Sequence, residues 1–355
     1  MGETAKRTAV ATLVVLAIVA AALVLWKLKL LIALVFLGVI IAAAMRPGIE
    51  GLRRRGLPRG LGLLLHYLAL FAFVALLLWI VVPRALSQVE TALGTKGLPT
   101  KASDLQEAAS NSHGVKHTIL VAIQKRLEHL PRASKVVHSS VSAGLKAFEI
   151  LVAIFFTFAT AAYWIFERER TMDFVASLLP RRKRKIMRDT WILIDLKLGA
   201  FVRGESLLIL IVGVVLSLLF WAIGLPYWLL VGAFAGIVEI VPVIGPLAAG
   251  ALAIAVGMTE SWHTALYAGL CVLGVRLAED YLIVPRVLGD AVGLSPLLVL
   301  VSVTSVGILF GGFAVILAVP IAAVLVTLVD VVVRAKNPAE EDVPTVLFPA
   351  KEAEN

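Results

Sequence analysis

Apolar runs of membrane-spanning length recur along most of this chain, and they exclude an ordinary water-soluble domain. Of the 355 residues, 60% are hydrophobic and only 16% are charged. Runs of about 20 apolar residues match the length of a helix that crosses a bilayer. The sequence therefore predicts an all-α polytopic membrane protein with about eight membrane-spanning helices. These include Pro/Gly-broken or re-entrant helical pairs, and an extracytoplasmic helical region accompanies them.

The positive charge of the chain is concentrated in two connections between apolar runs. Residues 46–60 contain five arginines, and residues 167–189 contain eight Arg or Lys residues. Basic connections remain on the cytoplasmic side of a membrane, so both are expected to be cytoplasmic. The net charge of +9 thus reflects orientation and lipid contact, and no nucleic-acid partner is expected. The run RRKRK at residues 181–185 is the segment best suited to anionic lipid heads.

The N-terminal region, residues 1–82, is predicted to hold three spans. The run 8–26 follows Lys6 and Arg7 as a signal peptide would, but only two lysines separate it from the next run, 30–45. An uncleaved first span with a cytoplasmic N-terminus is therefore favoured. The third span, 61–82, is predicted to end at Pro83.

Residues 83–146 form the long polar region, which is expected to lie outside the cytoplasm. Apolar residues at helical spacing within it predict amphipathic helices that lie on the membrane or on neighbouring subunits, or a solvated helical hairpin. His113 and His117 are four residues apart, a spacing that can place two imidazoles on one face. No third ligand follows from the spacing, so no metal site is expected.

Residues 147–203 are predicted to form a fourth span at 148–166, the second basic connection and an interfacial helix at 191–203. Arg203 and Glu205 place opposite charges at the mouth of a fifth span, 206–223, where they could gate or anchor it. Cys271 is the single cysteine, which excludes an intrachain disulfide and a cysteine metal site. Residues 336–355 are expected to form a disordered cytoplasmic tail.

The apolar run at residues 225–256 carries one carboxylate, Glu239, and is interrupted just beyond it by Pro242, Gly245 and Pro246. A charge at the centre of a spanning helix costs roughly 2.5–3.5 kcal/mol on insertion scales, so it normally faces protein or water. Proline removes a backbone donor, so the helix is predicted to break there and to free the carbonyls of residues 241–245. The alternative is a kinked packing helix whose Glu239 pairs with an Arg or a hydroxyl.

A second broken run, 297–333, is interrupted at residues 310–312 and at Pro320. Between the two runs, Arg276 lies three and four residues before Glu279 and Asp280, which predicts pairing along one helical face. Paired interrupted segments are typical of transporter binding sites. Residues 204–335 are therefore predicted to be a transport core. Its predicted pathway residues are Glu239, Pro242, Gly245, Pro246, Arg203, Glu205, Arg276, Glu279, Asp280, Pro285, Gly311, Gly312 and Pro320.

The segments GLPYWLLVGAFAGIVEIVPVIGP, RLAEDYLIVPRVLGDAVGLSPLLVL and LFGGFAVILAVPIAAVL resemble, in order and spacing, the autoinducer-2 exporter family of bacterial transporters. The resemblance covers nearly the whole chain and is most specific at residues 203–328. It places Glu239 and the Pro and Gly residues after it in the family's first signature. Pro285, Gly289 and Pro296 fall in the second.

This resemblance implies a secondary transporter of the bacterial cytoplasmic membrane. The family exports a small polar signalling molecule in some members and exchanges sodium for protons in others. It also implies homo-oligomers, namely pentamers, and an elevator-like movement. Three positions differ from the family: Glu205 replaces a Gln, Asp280 an Asn and Ala314 a Gly. The added negative charge favours a cation or a proton.

Two other function classes receive less support from the sequence. A membrane scaffold would recruit partners through its outer helices and basic loops, with Glu239 purely structural. An intramembrane enzyme is not expected, because the chain contains no HExxH or GxSxG motif and no pair of aspartates within its spans. No cofactor is expected.

Overall fold

The computed structural model describes residues 2–93, 133–287, 293–341 and 343, and all the regular structure in these ranges is helical. The helices in chain order are α1 Gly2–Lys27, α2 Lys29–Arg54, α3 Arg59–Leu93, α4 Ala133–Ser177, α5 Arg181–Ala222, α6 Trp228–Val238, α7 Ile244–Gly257, α8 Trp262–Ala278, α9 Val284–Val287, α10 Pro296–Phe310 and α11 Ala318–Val332. A π-helical turn, Glu279–Ile283, joins α8 to α9, and a 3₁₀ segment, Gly312–Leu317, joins α10 to α11.

Six segments are long and apolar enough to cross a membrane, which confirms the prediction of an all-α polytopic membrane protein. They are Val10–Lys27, Lys29–Arg54, Arg59–Arg84, Leu145–Ser177, Arg181–Ala222 and Gly312–Val332. The shorter apolar helices α6, α7 and α10 come from the two interrupted runs. Large apolar side chains such as Leu13, Phe155 and Leu325 lie on the outside, as a lipid-facing surface requires.

Pro83, which was expected to end the third span, lies inside a helix, and so does Pro47. α2 continues through Pro47 to Arg54, and α3 continues through Pro83 to Leu93. An interior proline removes one backbone hydrogen bond at a cost of ~3 kcal/mol, which the turns on either side of a long apolar helix can bear. The apolar part of α3 still ends at Arg84, next to the predicted boundary. Most of the predicted outer region, including His113 and His117, lies outside the described residues.

α5 is one continuous helix, and the segment 191–203, which was expected to be an interfacial helix leading into the fifth span, is mostly buried or half-buried in the protein. The prediction took Asp195 and Lys197 as signs of a water-exposed surface, but both are buried. The Arg168 guanidinium donates to the Asp195 carboxylate, and Lys197 Nζ lies 2.5 Å from Glu341 Oε1. These partners take the place of water around Asp195 and Lys197. The helical turns that carry the two charges can therefore continue directly into the apolar turns of α5.

The first residues of the C-terminal tail fold back onto the helices, which corrects the prediction of disorder from residue 336. Lys336 Nζ donates to Asp330 Oδ2 at 2.7 Å, Pro338 is buried, and Glu341 reaches Lys197 on α5. Asp330 and Lys197 are both buried, so the tail supplies the opposite charges that they need.

Two hydrophobic clusters hold the helices together. The larger one joins α5, α6, α7 and α8 through buried residues such as Val212, Phe220, Ala235 and Ala268. A second joins α2, α5 and the 3₁₀ segment through residues that include Ile40, Leu198 and Leu317, and Ile321 and Val324 of α11 pack against it. The interrupted helices α6 and α7 thus belong to a core that is separate from the one around α2.

Substitution of Gly232 by Ala is expected to lower stability, because α6 crosses α5 there with no room for a side chain. A Cβ atom at Gly232 would lie 2.2 Å from Ser217 Oγ and 2.6 Å from Ser217 Cα. Overpacking of this kind costs about 1–3 kcal/mol. We expect a lower apparent melting temperature in detergent for Gly232→Ala. The control Gly274→Ala, whose Cβ would meet no atom within 4 Å, should melt like the parent, and equal melting of both variants would contradict the close crossing.

Candidate functional site

The first interrupted run breaks between α6 and α7, which confirms the predicted break at Pro242. α6 ends at Val238, α7 begins at Ile244, and the Ile244 N–H donates to the Pro242 carbonyl at 2.8 Å. Val243, at the centre of this γ-turn, has φ 68° and ψ −51°. Such a conformation is rare for a β-branched residue and costs on the order of 1–3 kcal/mol. The surrounding packing therefore holds a strained turn next to Glu239.

Two of the carbonyl groups that the sequence predicted to be free are hydrogen-bonded. The Val241 carbonyl accepts from Gly245 N–H at 2.8 Å, and that of Pro242 accepts from Ile244. Within the described ranges, no backbone N–H donates to the carbonyls of Glu239 and Ile240. These two free carbonyls lie before the predicted range, because the chain turns back at Pro242 and re-forms hydrogen bonds at once. They therefore lie beside the carboxylate itself.

Gly245 and Pro246 fit the first turn of α7 for different reasons. A Cβ atom at Gly245 would lie 2.1 Å from the Val238 carbonyl oxygen, so only glycine lets α7 return against the end of α6. Pro246 lacks an N–H at a position where a helix start has no acceptor to offer. Both residues thus shape the turn rather than contact a ligand.

Arg276, near the end of α8, gathers three carboxylates. Its Nη1 lies 3.3 Å from Glu239 Oε1 and 3.1 Å from Glu279 Oε2, and its Nη2 lies 3.0 Å from Asp280 Oδ1. The predicted pairing of Arg276 with Glu279 and Asp280 is confirmed. The π-helical turn that begins at Glu279 widens the helix there, as such turns do at many functional sites.

The carboxylates of this group, which we term the Arg276 cluster, outnumber their cation. Glu239 is 6% exposed and Glu279 is 4% exposed, and both carboxylates lie within 3.3 Å of the same nitrogen, Arg276 Nη1. Glu205 on α5 lies near both Glu279 and Arg276. Two buried carboxylates beside one guanidinium leave an excess of buried negative charge, to which the half-buried Glu205 and the exposed Asp280 add. A proton or a cation is therefore required to balance the cluster.

In the part of the chain that the structure describes, no group of three or more His, Cys, Asp and Glu residues is arranged to hold a metal ion. Glu239 and Glu279 both contact one guanidinium nitrogen, and a proton on one carboxylate or a monovalent cation beside them would relieve the repulsion between the two. The chemistry of the Arg276 cluster thus favours a proton or a weakly held monovalent cation.

The remaining predicted residues lie in other places. Arg203 Nη1 donates to the Ala44 carbonyl of α2 at 3.2 Å, an anchoring contact. Pro285 lies in α9, Pro296 begins α10 after the N-cap Ser295, and Gly289 is outside the described residues. Pro320 was expected to break its helix, but it lies in the first turn of α11, where a missing N–H costs nothing.

The second break is at Gly311, as predicted, and it depends on backbone conformation rather than close packing. Gly311 has φ 90°, which a residue with a side chain rarely adopts, and it ends α10. A Cβ atom at Gly311 or Gly312 would meet no atom within 4 Å, so neither glycine is required by close helix packing. Gly232 and Gly236 do make close approaches to α5.

The two breaks meet, which the sequence alone did not indicate. Val241, in the first break, packs against a cluster from the second interrupted run. Ala314, where the resembled family commonly has Gly, is buried in that cluster. In the sequence, the one sign of this contact is that Val241 is apolar although it lies in the break. An apolar residue there predicts a buried contact but does not say which helix it packs against. The buried residues of this cluster are Val303, Val306, Ala314 and Ala318.

Comparisons with known proteins agree on one family. A family model described as AI-2E family transporter matches residues 13–334. Bacillus subtilis YrrI, described as a candidate transport protein, is 25% identical over 298 residues, 81% of this chain and 83% of YrrI. YueF of the same organism, with the same description, is 27% identical over 289 residues, 77% of each chain. Mycobacterium tuberculosis MT0215, likewise described, is 25% identical over 332 residues, 88% of this chain and 86% of MT0215.

Proposed function

Since this chain belongs to the AI-2E transporter family, we propose that it is a secondary transporter in which the Arg276 cluster binds a proton or a monovalent cation. Movement of this ion would be coupled to export of a small polar solute or would itself constitute cation–proton exchange. The observation that carries the proposal is the excess of buried carboxylates around Arg276 beside the broken helix at Pro242.

The ion site in this proposal combines side chains and backbone. Glu239 is the binding carboxylate, Glu279 shares its proton or its cation, and Arg276 orients both. The free carbonyl groups of Glu239 and Ile240 supply further oxygen ligands if the ion is a metal cation. Glu205 and Asp280 add negative charge at the edge of the site, which attracts a cation and repels an anion.

The proposed movement is an elevator-like displacement of the helices that carry the Arg276 cluster. Support comes from the separate hydrophobic cores: α6, α7, α8 and the second half of α5 share one cluster, whereas α2 and α11 pack in another. Val241 packs against α10 and the start of α11, so this contact would be one across which the displacement takes place. The strained Val243 turn would be one place where the chain can change conformation.

The proposal also includes the membrane setting. The protein would lie in the cytoplasmic membrane of a bacterium with its basic connections and both termini inside. It would work as a homo-oligomer, for which the outward-facing apolar residues of α1 and α3 offer contact surfaces as well as lipid contacts.

Glu239→Gln is expected to reduce ion flux to background while leaving the fold intact. The amide keeps the size of the side chain and can still contact Arg276, but it cannot take up a proton or balance a cation. The measurement is flux across proteoliposomes that hold the purified protein, under imposed proton and sodium gradients. Glu260→Gln, an exposed position between α7 and α8, is the matched control and should retain the parent flux.

Two results would overturn parts of this proposal. Parent protein that moves neither protons nor sodium would exclude cation exchange and leave the export of a small polar solute to be measured with candidate metabolites. Glu239→Gln with full flux would show that Glu239 only packs against Arg276, as the kinked-helix alternative holds. If the parent protein transports none of the tested ions or solutes, the scaffold alternative is favoured.

A further inference from the structure

A polar cavity lies where α2, α4 and α5 meet, near the start of α3. The residues that line it are distant in sequence from the Arg276 cluster. Its volume is about 30 Å³, room for roughly two water-sized groups. The cavity floor contains the buried Arg168 and Asp195, and its mouth is marked by the more exposed Arg59 and Glu169. The residues that line it are Ala42, Ala43, Arg46, Ile49, Glu50, Arg59, Trp164, Ile165, Arg168, Glu169 and Asp195.

Two buried donors in the lining of this cavity lack an acceptor. Trp164 Nε1 and Arg168 Nη2 are both buried, and neither has a hydrogen-bond partner among the described residues. Arg168 is 6% exposed and uses its Nε to donate to Asp195. Nearly all buried polar groups in proteins have a partner, and leaving one unpaired is costly. Both groups can only donate, so what is missing is an acceptor atom.

The charges around the cavity favour an anionic acceptor over a neutral one. Glu50 lies 2.9 Å from Arg53 and 3.9 Å from Arg59, and Glu169 lies 3.3 Å from Arg59. The lining itself holds three arginines and three carboxylates, so the surplus of positive charge comes from the adjoining connection, whose Arg53 pairs with Glu50. The cavity also lies at the basic ends of the helices, next to the connection that carries Arg53, Arg54 and Arg55. Basic pockets between membrane helices near the headgroup layer commonly hold anionic lipid groups.

We propose that this cavity binds a phosphate oxyanion, presented either by the headgroup of an anionic phospholipid or as free phosphate. A phosphate oxygen enters past Arg59 and accepts hydrogen bonds from Trp164 Nε1 and Arg168 Nη2. Trp164 is held for this contact by stacking on Trp191, with ring centroids 5.9 Å apart and planes 17° apart. Because α2, α4 and α5 all contribute, the bound group ties the N-terminal helices to α5.

Trp164→Phe is the variant that tests this site, because it removes the donor and keeps the ring on Trp191. The full-length protein in detergent is titrated with dioctanoyl phosphatidylglycerol, with inorganic phosphate, and with dioctanoylglycerol as the lipid without phosphate. We expect the phosphate-bearing probes to raise the apparent melting temperature and dioctanoylglycerol to have no effect. Loss of one hydrogen bond to an anion should weaken binding by about tenfold in Trp164→Phe. Trp221→Phe, at an exposed position on α5, should bind like the parent.

The outcomes of this titration distinguish a free phosphate, a lipid headgroup and water as the occupant of the cavity. Stabilisation by inorganic phosphate alone would identify a free oxyanion, whereas stabilisation only by phosphatidylglycerol would identify a lipid headgroup. Equal stabilisation of the parent and Trp164→Phe would place the lipid elsewhere and overturn the proposal. No stabilisation by either phosphate probe, together with a Trp164→Phe variant more stable than the parent, would overturn it in favour of water alone. The readout does not depend on transport, so failure here leaves the function proposed for Glu239 untouched.

Discussion

Arg276→Gln is expected to destabilise the protein strongly and to abolish flux. Arg276 is the shared partner of Glu239 and Glu279, both of which are buried, and its removal leaves their carboxylates facing each other. Removal of one partner from a buried ion pair costs about 3–5 kcal/mol. Since about a third of the Arg276 side chain is exposed, we expect a loss near the lower end, about 3 kcal/mol. The measurement is the apparent melting temperature in detergent, with flux in proteoliposomes alongside.

A second substitution tests whether this loss arises from the unpaired carboxylates. Adding Glu239→Gln to Arg276→Gln removes one of the two facing charges, so the double variant should melt at a higher temperature than Arg276→Gln alone. It should still show no flux, because Glu239 is the proposed ion ligand. Arg170→Gln, at an exposed position on α4, is the control and should match the parent in both measurements. An Arg276→Gln variant with parental stability would contradict the charge balance described for the cluster.

The centre of the candidate site could be predicted because its signals are local. A lone carboxylate in an apolar run and a proline three residues later predicted the break at Pro242 beside Glu239, and helical spacing predicted the Arg276–Glu279 pair. The Arg276–Glu239 contact and the packing of Val241 on the second interrupted run are not local. They join residues that are 37 or more positions apart, and any of several apolar helix pairings would satisfy the same sequence pattern.

The wrong predictions have two physical causes. Prolines were taken as helix ends, but Pro83 and Pro320 show that an apolar helix tolerates one lost hydrogen bond and loses none in its first turn. Charged residues were taken as water-exposed, but Asp195 and Lys197 are buried against Arg168 and Glu341. In both cases the compensating partner is distant in sequence. A sequence pattern alone therefore cannot distinguish a paired buried charge from a solvated one.

Gly245→Ala is expected to abolish flux and to lower stability, unlike Glu239→Gln, which should affect flux alone. The added Cβ would lie 2.1 Å from the carbonyl oxygen and 2.7 Å from the carbonyl carbon of Val238. These are backbone atoms that cannot rotate away, so α7 would have to separate from the end of α6. Overpacking costs about 1–3 kcal/mol, and a clash with backbone belongs at the upper end. Melting temperature and flux are measured on the same preparation.

Gly250→Ala provides the matched control within the same helix. Its Cβ would lie 3.6 Å from Val272 Cγ1, an ordinary contact, and alanine favours helix over glycine by about 1 kcal/mol. We therefore expect parental flux and equal or slightly higher stability. A Gly245→Ala variant that behaves like Gly250→Ala would mean that α6 and α7 approach each other less closely than described. The position of Glu239 would then not depend on the tight turn, and strain at Val243 would no longer be tied to the ion site.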